Sequence, residues 1–542
     1  MSAAAVPAFG TLTEMLDAAA DSDKNLIFVG RDESDHPVAL RQIRSRAYQI
    51  AGGLRDRGVA PGDRVALVLP TGPDFVASFF AVMVAGGIPV PLYPPVRLAK
   101  LDEYRQRTAA MLLAVQAVLV ITDARIRPAL DAAVTDAAPR LGCVLADDIH
   151  GDAAPASTAA AGDIALIQFS SGTTHDPKPV ALTHANLLHN LAAIADYFAG
   201  AGINEVIGVT WLPLYHDMGL IGNLLSAFYL RCTLVLLPPE LFLAIPSAWL
   251  RAISRHRGNV TAAPNFAFGL CRKRIRDDEL DGVDLTSWAL CLNGAELVNA
   301  EVAQQFSQRF AAWGFQSTAM TPVYGLAEAS LAVTFRPPHA PVRTCGGVLS
   351  VGRPLAGVQV EIRDADSRPL PPGQVGRIVV RAPSVMPGYF GRPELTAQAL
   401  SDGWLDCGDL GFLDGGELFV TGRSKDTIVI RGANHAPQDF ETALDGLAGV
   451  RTGCAVAVGY QDAGAEALAI LAEVTPEATD DLAADIAARV LARTGIAVSH
   501  VELVEPGALP RTSSGKMRRL AARDQWLTGT LPSAQLPGRT PC

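Results

Sequence analysis

Between residues 40 and 92 the chain alternates stretches that suit helices with short apolar runs that suit strands, and this rhythm restricts the fold more than any other feature. The pattern predicts a helix over 40–58, a Pro-Gly-Asp turn at 61–63, a strand over 64–69, a helix over 74–85 and a short strand over 86–92. Alternation of this kind builds sheets covered by helices. Further strands are expected at 117–121, 206–210 and 233–237. From 352 to 420 the texture changes to short β runs broken by Pro-Gly and Asp-Gly turns, including 358–362 and 376–381. A compact unit follows, with strands at 456–459 and 468–474 and a helix at 483–494. The expected class is α/β. A large N-terminal domain of wound sheets with flanking helices spans 1–421, and its β-rich subdomain spans about 345–421. A hinge at 422–425, a small mobile α+β C-terminal domain at 426–525 and a flexible Pro-, Gly- and Ser-rich tail at 526–542 complete the expectation.

With 542 residues the chain exceeds what one core usually supports, which agrees with that division. A net charge of -10 argues against a general binder of nucleic acid or anionic lipid, both of which attract clustered Lys and Arg. The first residues lack a basic, then apolar, secretory pattern, and no stretch of about 18 apolar residues suggests a membrane span. A cytoplasmic protein with no nucleic-acid partner is expected. Cysteines at 143, 232, 271, 291, 345, 407, 454 and 542 form no CxxC pair, so reduced thiols are expected in place of disulfides or zinc.

Gln168-Phe-Ser-Ser-Gly-Thr-Thr-His-Asp-Pro-Lys178 sets four hydroxyl residues around Gly172, directly after the apolar run 164–167. Hydroxyls and backbone N–H groups in a tight turn surround phosphate oxygens well. The Walker spacing is absent, so a nucleotide chemistry other than that of P-loop NTPases is indicated. Taken alone, a plain Ser/Thr turn leaving a strand explains the segment about equally well.

Five more segments follow in order. In Trp211-Leu-Pro-Leu-Tyr-His-Asp-Met-Gly-Leu220, His216 suits a place beside a reacting carboxylate, although a core histidine is the commoner case. Leu292-Asn-Gly-Ala-Glu296 reads as a strand end against which a flat heterocycle can slide, or as an ordinary turn. In Tyr324-Gly-Leu-Ala-Glu328 the ring suits stacking on a base and Glu328 suits Mg2+ beside phosphates, whereas a helix start with an acidic residue looks the same. Asp409 in Trp404-Leu-Asp-Cys-Gly-Asp409 suits the two hydroxyls of a ribose, with Arg423 as reinforcement; a surface ion pair is the alternative. Leu509-Pro-Arg-Thr-Ser-Ser-Gly-Lys516 presents a lysine able to neutralise a phosphoryl group under attack, where a solvated lysine is the blander reading.

The order and wording of these segments resemble the adenylate-forming superfamily of acyl-CoA synthetases, peptide-synthetase adenylation domains and luciferases over nearly the whole chain. Pro91-Leu-Tyr-Pro-Pro95, Tyr215-His-Asp-Met-Gly219, Ala263-Pro-Asn-Phe266, Tyr324-Gly-Leu-Ala-Glu-Ala-Ser-Leu331 and Ile430-Arg-Gly-Ala-Asn-His-Ala-Pro-Gln-Asp439 are most similar to fatty-acyl-AMP ligases. The resemblance implies an enzyme that uses ATP and Mg2+ to turn a hydrophobic carboxylic acid into an acyl-adenylate. The acyl group then passes to an acyl-carrier protein, or alternatively to coenzyme A. Ser170, Ser171, Gly172, Thr173, Thr174 and Lys178 would hold the phosphates. Asn293, Gly294, Ala295 and Tyr324 with Gly325 would meet the adenine, and Asp409 and Arg423 the ribose. Glu328 would bind Mg2+, Lys516 would be the catalytic lysine with His216 and Glu328 beside it, and Lys425 would be the hinge. An acyl pocket is expected around Ile221, Leu224, Phe228, Phe266 and Phe268.

Two departures from the family pattern matter. His175 and Pro179 replace glycines usual in the phosphate loop, which stiffens it and removes one N–H donor. The stretch 334–352 is short, as in acyl-CoA synthetases, where fatty-acyl-AMP ligases carry a longer insertion associated with disfavouring coenzyme A. The carrier protein and coenzyme A thus remain alternative acceptors, and a catalytically weak nucleotide-binding protein is a third reading. No carrier-protein domain is expected after Lys516.

Overall fold

The computed structural model describes residues 5–95, 101–153, 155–170, 178–430, 433–462, 465–512 and 517–534. The largest sheet has nine described strands, in the order Arg353–Pro354, Ala332–Phe335, Met320–Gly325, Leu290–Gly294, Val260–Pro264, Ile207–Thr210, Thr233–Leu236, Asn25–Val29 and Asp35–Ala39. Its middle is parallel and its two edges are antiparallel. Val260–Pro264 and Leu290–Gly294 are buried at every residue, as central strands covered on both faces must be.

A second, parallel sheet runs Ile88–Pro91, Arg64–Val68, Leu119–Thr122, Cys143–Leu145. The helix Pro73–Ala85 joins its two leading strands. Pro73 opens this helix, Gly86 closes it at φ 93°, and every residue from Phe75 to Ala85 is buried. A helix that is apolar all round belongs between layers, and this one lies against the helix Leu40–Asp56. Strands and helices of this half fall within two residues of their expected bounds. The β-rich stretch also forms as expected, with Gln359–Arg363, Gly376–Arg381, Trp404–Asp414 and Glu417–Arg423 in antiparallel pairs. The seven described cysteines are unpaired.

The main apolar core gathers residues from Leu12 to Val420, and a separate one gathers Ile428 to Val490. The C-terminal unit is built on Val450–Asp462 and Ala465–Val474, antiparallel, with His500–Val504 parallel to the latter. Alternate residues of Val450–Asp462 face opposite sides: Ala455 and Ala457 meet the helices Pro437–Ala443 and Leu482–Thr494, while Val456 and Val458 meet the helix Arg519–Leu527. Of the tail expected from 526 onward, the described residues up to Ala534 pack against the C-terminal unit. Leu531 is buried, Ser533 bridges to Val504, and Ala534 N–H donates to Leu503 O at 2.8 Å. The exposed edge of His500–Val504 offers backbone groups that this segment satisfies, which composition alone does not reveal.

Candidate active site

Leu290–Gly294 and Met320–Gly325 pair in parallel and end side by side, at the edge where open α/β sheets bind ligands. Close packing demands Gly294, because a Cβ there would stand 2.6 Å from Val323 Cγ2. Ala295 follows at φ 66° and is exposed. The Asn293 side chain is turned inward. It is sealed inside the sheet with its Nδ2 3.3 Å from Asn265 Oδ1, so it ties the strand to the start of the helix Asn265–Arg274. Of the three small-motif residues, Ala295 is the exposed one.

Beyond Tyr324 the chain reverses sharply. A Cβ at Gly325 would lie 1.8 Å from Leu331 O, and Ser330 at φ 67° donates its hydroxyl to Ser384 O at 2.8 Å. The reversal fixes the turn Ala327–Ala329, and with it Glu328. Glu328 Oε1 accepts from the Tyr389 hydroxyl at 2.9 Å. Burial raises the proton affinity of this carboxyl; its own backbone N–H, the Tyr389 hydroxyl and the cations Lys178 and Arg423 oppose the rise. The Lys178 ammonium stands 4.9 Å over the Tyr389 ring, and burial lowers its pKa while Glu328 counteracts.

Lys178 closes the expected phosphate segment. Its carbonyl accepts from Ser170 N–H at 3.0 Å, and the strands Ile164–Phe169 and Pro179–Thr183 pair on either side. Pro179 opens its strand, a position where the missing N–H is tolerated. Ser171, Gly172, Thr173 and Thr174, with His175, lie outside the described residues, as does Lys516.

The Tyr324 hydroxyl, expected on a stacking ring, donates to Asp409 Oδ2 at 2.6 Å. Asp409 and Arg423 are cross-strand partners, with Nε 3.3 Å from Oδ1. Burial foremost, with the Asp409 charge behind it, pushes the Tyr324 phenol well above its ordinary range, so it stays a proton donor. Lys425 is exposed in the turn that follows Arg423, and Ser424 fixes this turn by donating to Gly408 O at 3.1 Å. His216 precedes the short helix Asp217–Gly219 and a π-helical turn, Leu220–Leu225. Gln168 Nε2 donates to Tyr215 O at 2.8 Å, which fastens the His216 turn to the strand leading into the phosphate segment.

The expected acyl-pocket residues divide. Ile221, Leu224, Phe228 and Phe268 are fully buried, with the Phe228 ring 4.6 Å from Phe80 and the Phe268 ring 5.0 Å from Phe306, so they build the core. Phe266 remains partly exposed, its N–H on Glu296 Oε1 at 2.6 Å. Sequence reasoning missed Tyr389. It lies in Met386-Pro-Gly-Tyr389, and only the pairing of Gly388–Tyr389 with Val180 and Ala181 brings it to Lys178 and Glu328.

Charged groups gathered where parallel strands end, beside a separately packed C-terminal unit, define a two-part α/β enzyme that handles a charged ligand. The family described as "AMP-binding enzyme" matches residues 17–390, and that described as "Disco-interacting protein 2-like, AMP domain" matches residues 425–536. A putative acyl-CoA synthetase of Caulobacter vibrioides is 33% identical, with 96% of each chain covered. A medium-chain-fatty-acid–[acyl-carrier-protein] ligase of Moorena producens is 31% identical over 97% of this chain and 96% of its own. Among solved structures, one from the study of fatty acyl-adenylate ligases of E. coli and L. pneumophila superposes with a TM-score of 0.90 at 32% identity, covering 96% of this chain and 98% of the other. The L. pneumophila ligase in complex with acyl adenylate and pyrophosphate gives 0.72 at 32% identity, covering 95% and 96%. The chain belongs to the AMP-binding enzymes of the adenylate-forming superfamily, and it is an acid ligase that forms an acyl-adenylate. ATP use follows from that membership. No described helix is long and apolar enough to cross a membrane.

Proposed function

We propose that the protein activates a fatty or similarly hydrophobic acid and passes the acyl group to the phosphopantetheine thiol of an acyl-carrier protein. The observation that carries the reading is the convergence of Lys178, Tyr389 and Glu328 with Tyr324, Asp409 and Arg423, brought together from three different sheets. The similarity to a fatty-acid–carrier-protein ligase over nearly the full chain supports the acceptor. In the first step a carboxylate oxygen attacks the α-phosphorus of ATP, the bond to the β-phosphate oxygen breaks, and pyrophosphate leaves. Ser170 to Lys178 hold the phosphates, Asp409 and Arg423 the ribose hydroxyls, and Ala295 and Tyr324 border the adenine. Lys516 neutralises the phosphoryl group, and His216 flanks the acid. Such preorganised charge and positioning supply most of the rate.

Glu328 fits a Mg2+ ion: Tyr389 occupies one oxygen, and a bound cation would offset the burial that raises the pKa of this carboxyl. Among the described residues no group of three or more His, Cys, Asp or Glu forms a metal cage, so the remaining ligands would be phosphate and water oxygens, as Mg2+ prefers. Bound there, the ion would neutralise charge on the departing pyrophosphate. In the second step the C-terminal unit turns about Lys425, and a thiol attacks the acyl carbonyl, expelling AMP.

Coenzyme A as acceptor is the second reading. Between Ala332–Phe335 and Arg353–Pro354 the described elements are only the two-residue strands Thr344–Cys345 and Val348–Leu349, a small insertion. Product analysis by mass spectrometry, with MgATP and a panel of fatty and aryl acids, tests both. Acyl-adenylate that accumulates and ignores coenzyme A supports carrier loading. Efficient acyl-CoA formation overturns it.

A further inference from the structure

The C-terminal unit meets the large part of the molecule at an exposed hydrogen bond, Lys273 Nζ to Thr452 Oγ1 at 3.0 Å, and at a buried cation. Arg518 is 4% exposed, yet its Nε has no hydrogen-bond partner among the described residues. Its nearest counter-charge is Glu103 Oε1, 3.8 Å from Nη1, and Glu103 is shared with Arg107 at 3.7 Å on the helix Leu101–Ala114. Burial first, then the Arg107 charge, lower the pKa of Arg518, while Glu103 and Tyr93 pull it up. Tyr93 belongs to a wall that leads to the proposed acid site: its ring is 6.4 Å from Tyr215, whose ring is 4.9 Å from His216.

On its own side Arg518 is held stiffly. Its N–H donates to Pro510 O at 2.9 Å, and Arg511 and Met517 form a β-bridge. Leu509 N–H donates to the fully buried carboxylate of Glu473 at 3.2 Å. The next residue, Arg519, grips Glu441 through Nε at 2.7 Å and Nη2 at 2.6 Å and reaches Asp426 in the hinge turn at 3.4 Å. In the sequence Lys516 precedes Arg518 by two positions, a length of chain of at most about 7 Å.

We propose that Arg518 is a positioning residue for adenylate formation: by docking on Glu103 beside Tyr93 it holds the C-terminal unit in the orientation that serves the first half-reaction. The inference rests on the proposed catalytic role of Lys516. An incompletely paired buried cation suits this task. Its desolvation offsets much of its attraction to Glu103, so the contact selects an orientation without trapping it, and the unit is free to leave for thiol transfer. The role is specific to one half-reaction, because nothing in the transfer of an already formed acyl-adenylate needs Arg518 against the tyrosine wall.

The test separates the half-reactions in the full chain. Single-turnover adenylate formation from MgATP and the best acid of the panel is compared with transfer from chemically prepared acyl-adenylate to pantetheine. If docking sets the fraction of competent molecules, Arg518→Ala slows adenylate formation about tenfold and Arg518→Glu about a hundredfold, whereas Arg518→Lys stays within about threefold. Transfer to pantetheine stays within about twofold of the parent in all three. Glu103→Lys, at an exposed position, reproduces the loss from the opposite side. Combined with Arg518→Glu it recovers at least about tenfold over Arg518→Glu alone. Adenylate formation at the parent rate in Arg518→Glu overturns the proposal, as does an equal fall in both half-reactions with a lowered melting temperature. Lys516→Ala is measured alongside: adenylation that persists there refutes the role of Lys516, while an inactive Lys516→Ala beside a normal Arg518→Glu refutes only the docking role.

Discussion

Replacing Tyr389 with Phe removes one hydroxyl and leaves the ring under the Lys178 ammonium, which stands 4.9 Å from its centre. The lost bond is the 2.9 Å donation to Glu328 Oε1. A hydrogen bond to an ionised acceptor contributes about 1.5–3 kcal/mol, which corresponds to about 10- to 100-fold in an equilibrium. The direction follows from the forces on Glu328. Burial raises its pKa, and the Tyr389 hydroxyl is among the groups that lower it, so the substitution raises it further. Where activity requires the carboxylate, the acid limb of the rate profile moves to higher pH, and rates on that limb fall by about 10- to 100-fold. On the plateau, where the group is ionised in both proteins, the rate is nearly kept. The assay is acid-dependent ATP–pyrophosphate exchange measured across that limb and the plateau. Superimposable profiles would refute the coupling of Tyr389 to Glu328, and an equal loss at every pH would mean the hydroxyl orients the site instead of tuning its charge.

The same burial makes Glu328 costly to the fold. Its folded pKa lies above the unfolded one, so the native state binds more protons between the two, and stability falls as pH rises through that window. Glu328→Gln is therefore expected to melt at a higher temperature than the parent at pH 8, by a margin that vanishes below the ordinary carboxylate range, while adenylation is lost; a lower melting temperature at pH 8 would contradict this. Arg519→Ala leaves the Glu441 and Asp426 carboxylates, 15% and 1% exposed, without their shared cation. Breaking a buried pair in this way costs about 3–5 kcal/mol, read as a lowered midpoint in denaturant unfolding, and a change below about 1 kcal/mol would show that water already screens the network.

Local sequence patterns set the alternation of helices and strands, the change to β-rich texture after residue 352, and the order of the motifs that mark the family. Those features are local: helix and strand periods, the Pro73 start and Gly86 stop of one helix, and turn residues act within a few positions of the chain. Those patterns also placed Asp409 and Arg423 in one site, because both lie in recognisable motifs. Which neighbours those residues meet depends on long-range packing. Asn293 turns its amide inward onto Asn265, and Phe228 and Phe268 pack into the core from their helices, because the burial of any strand or helix depends on what covers it. Tyr389 reaches Glu328 across 61 positions and Arg518 reaches Glu103 from the opposite end of the chain. No local pattern encodes such pairs; each exists because sheet register and the docking of separately packed cores bring remote segments within a few ångströms.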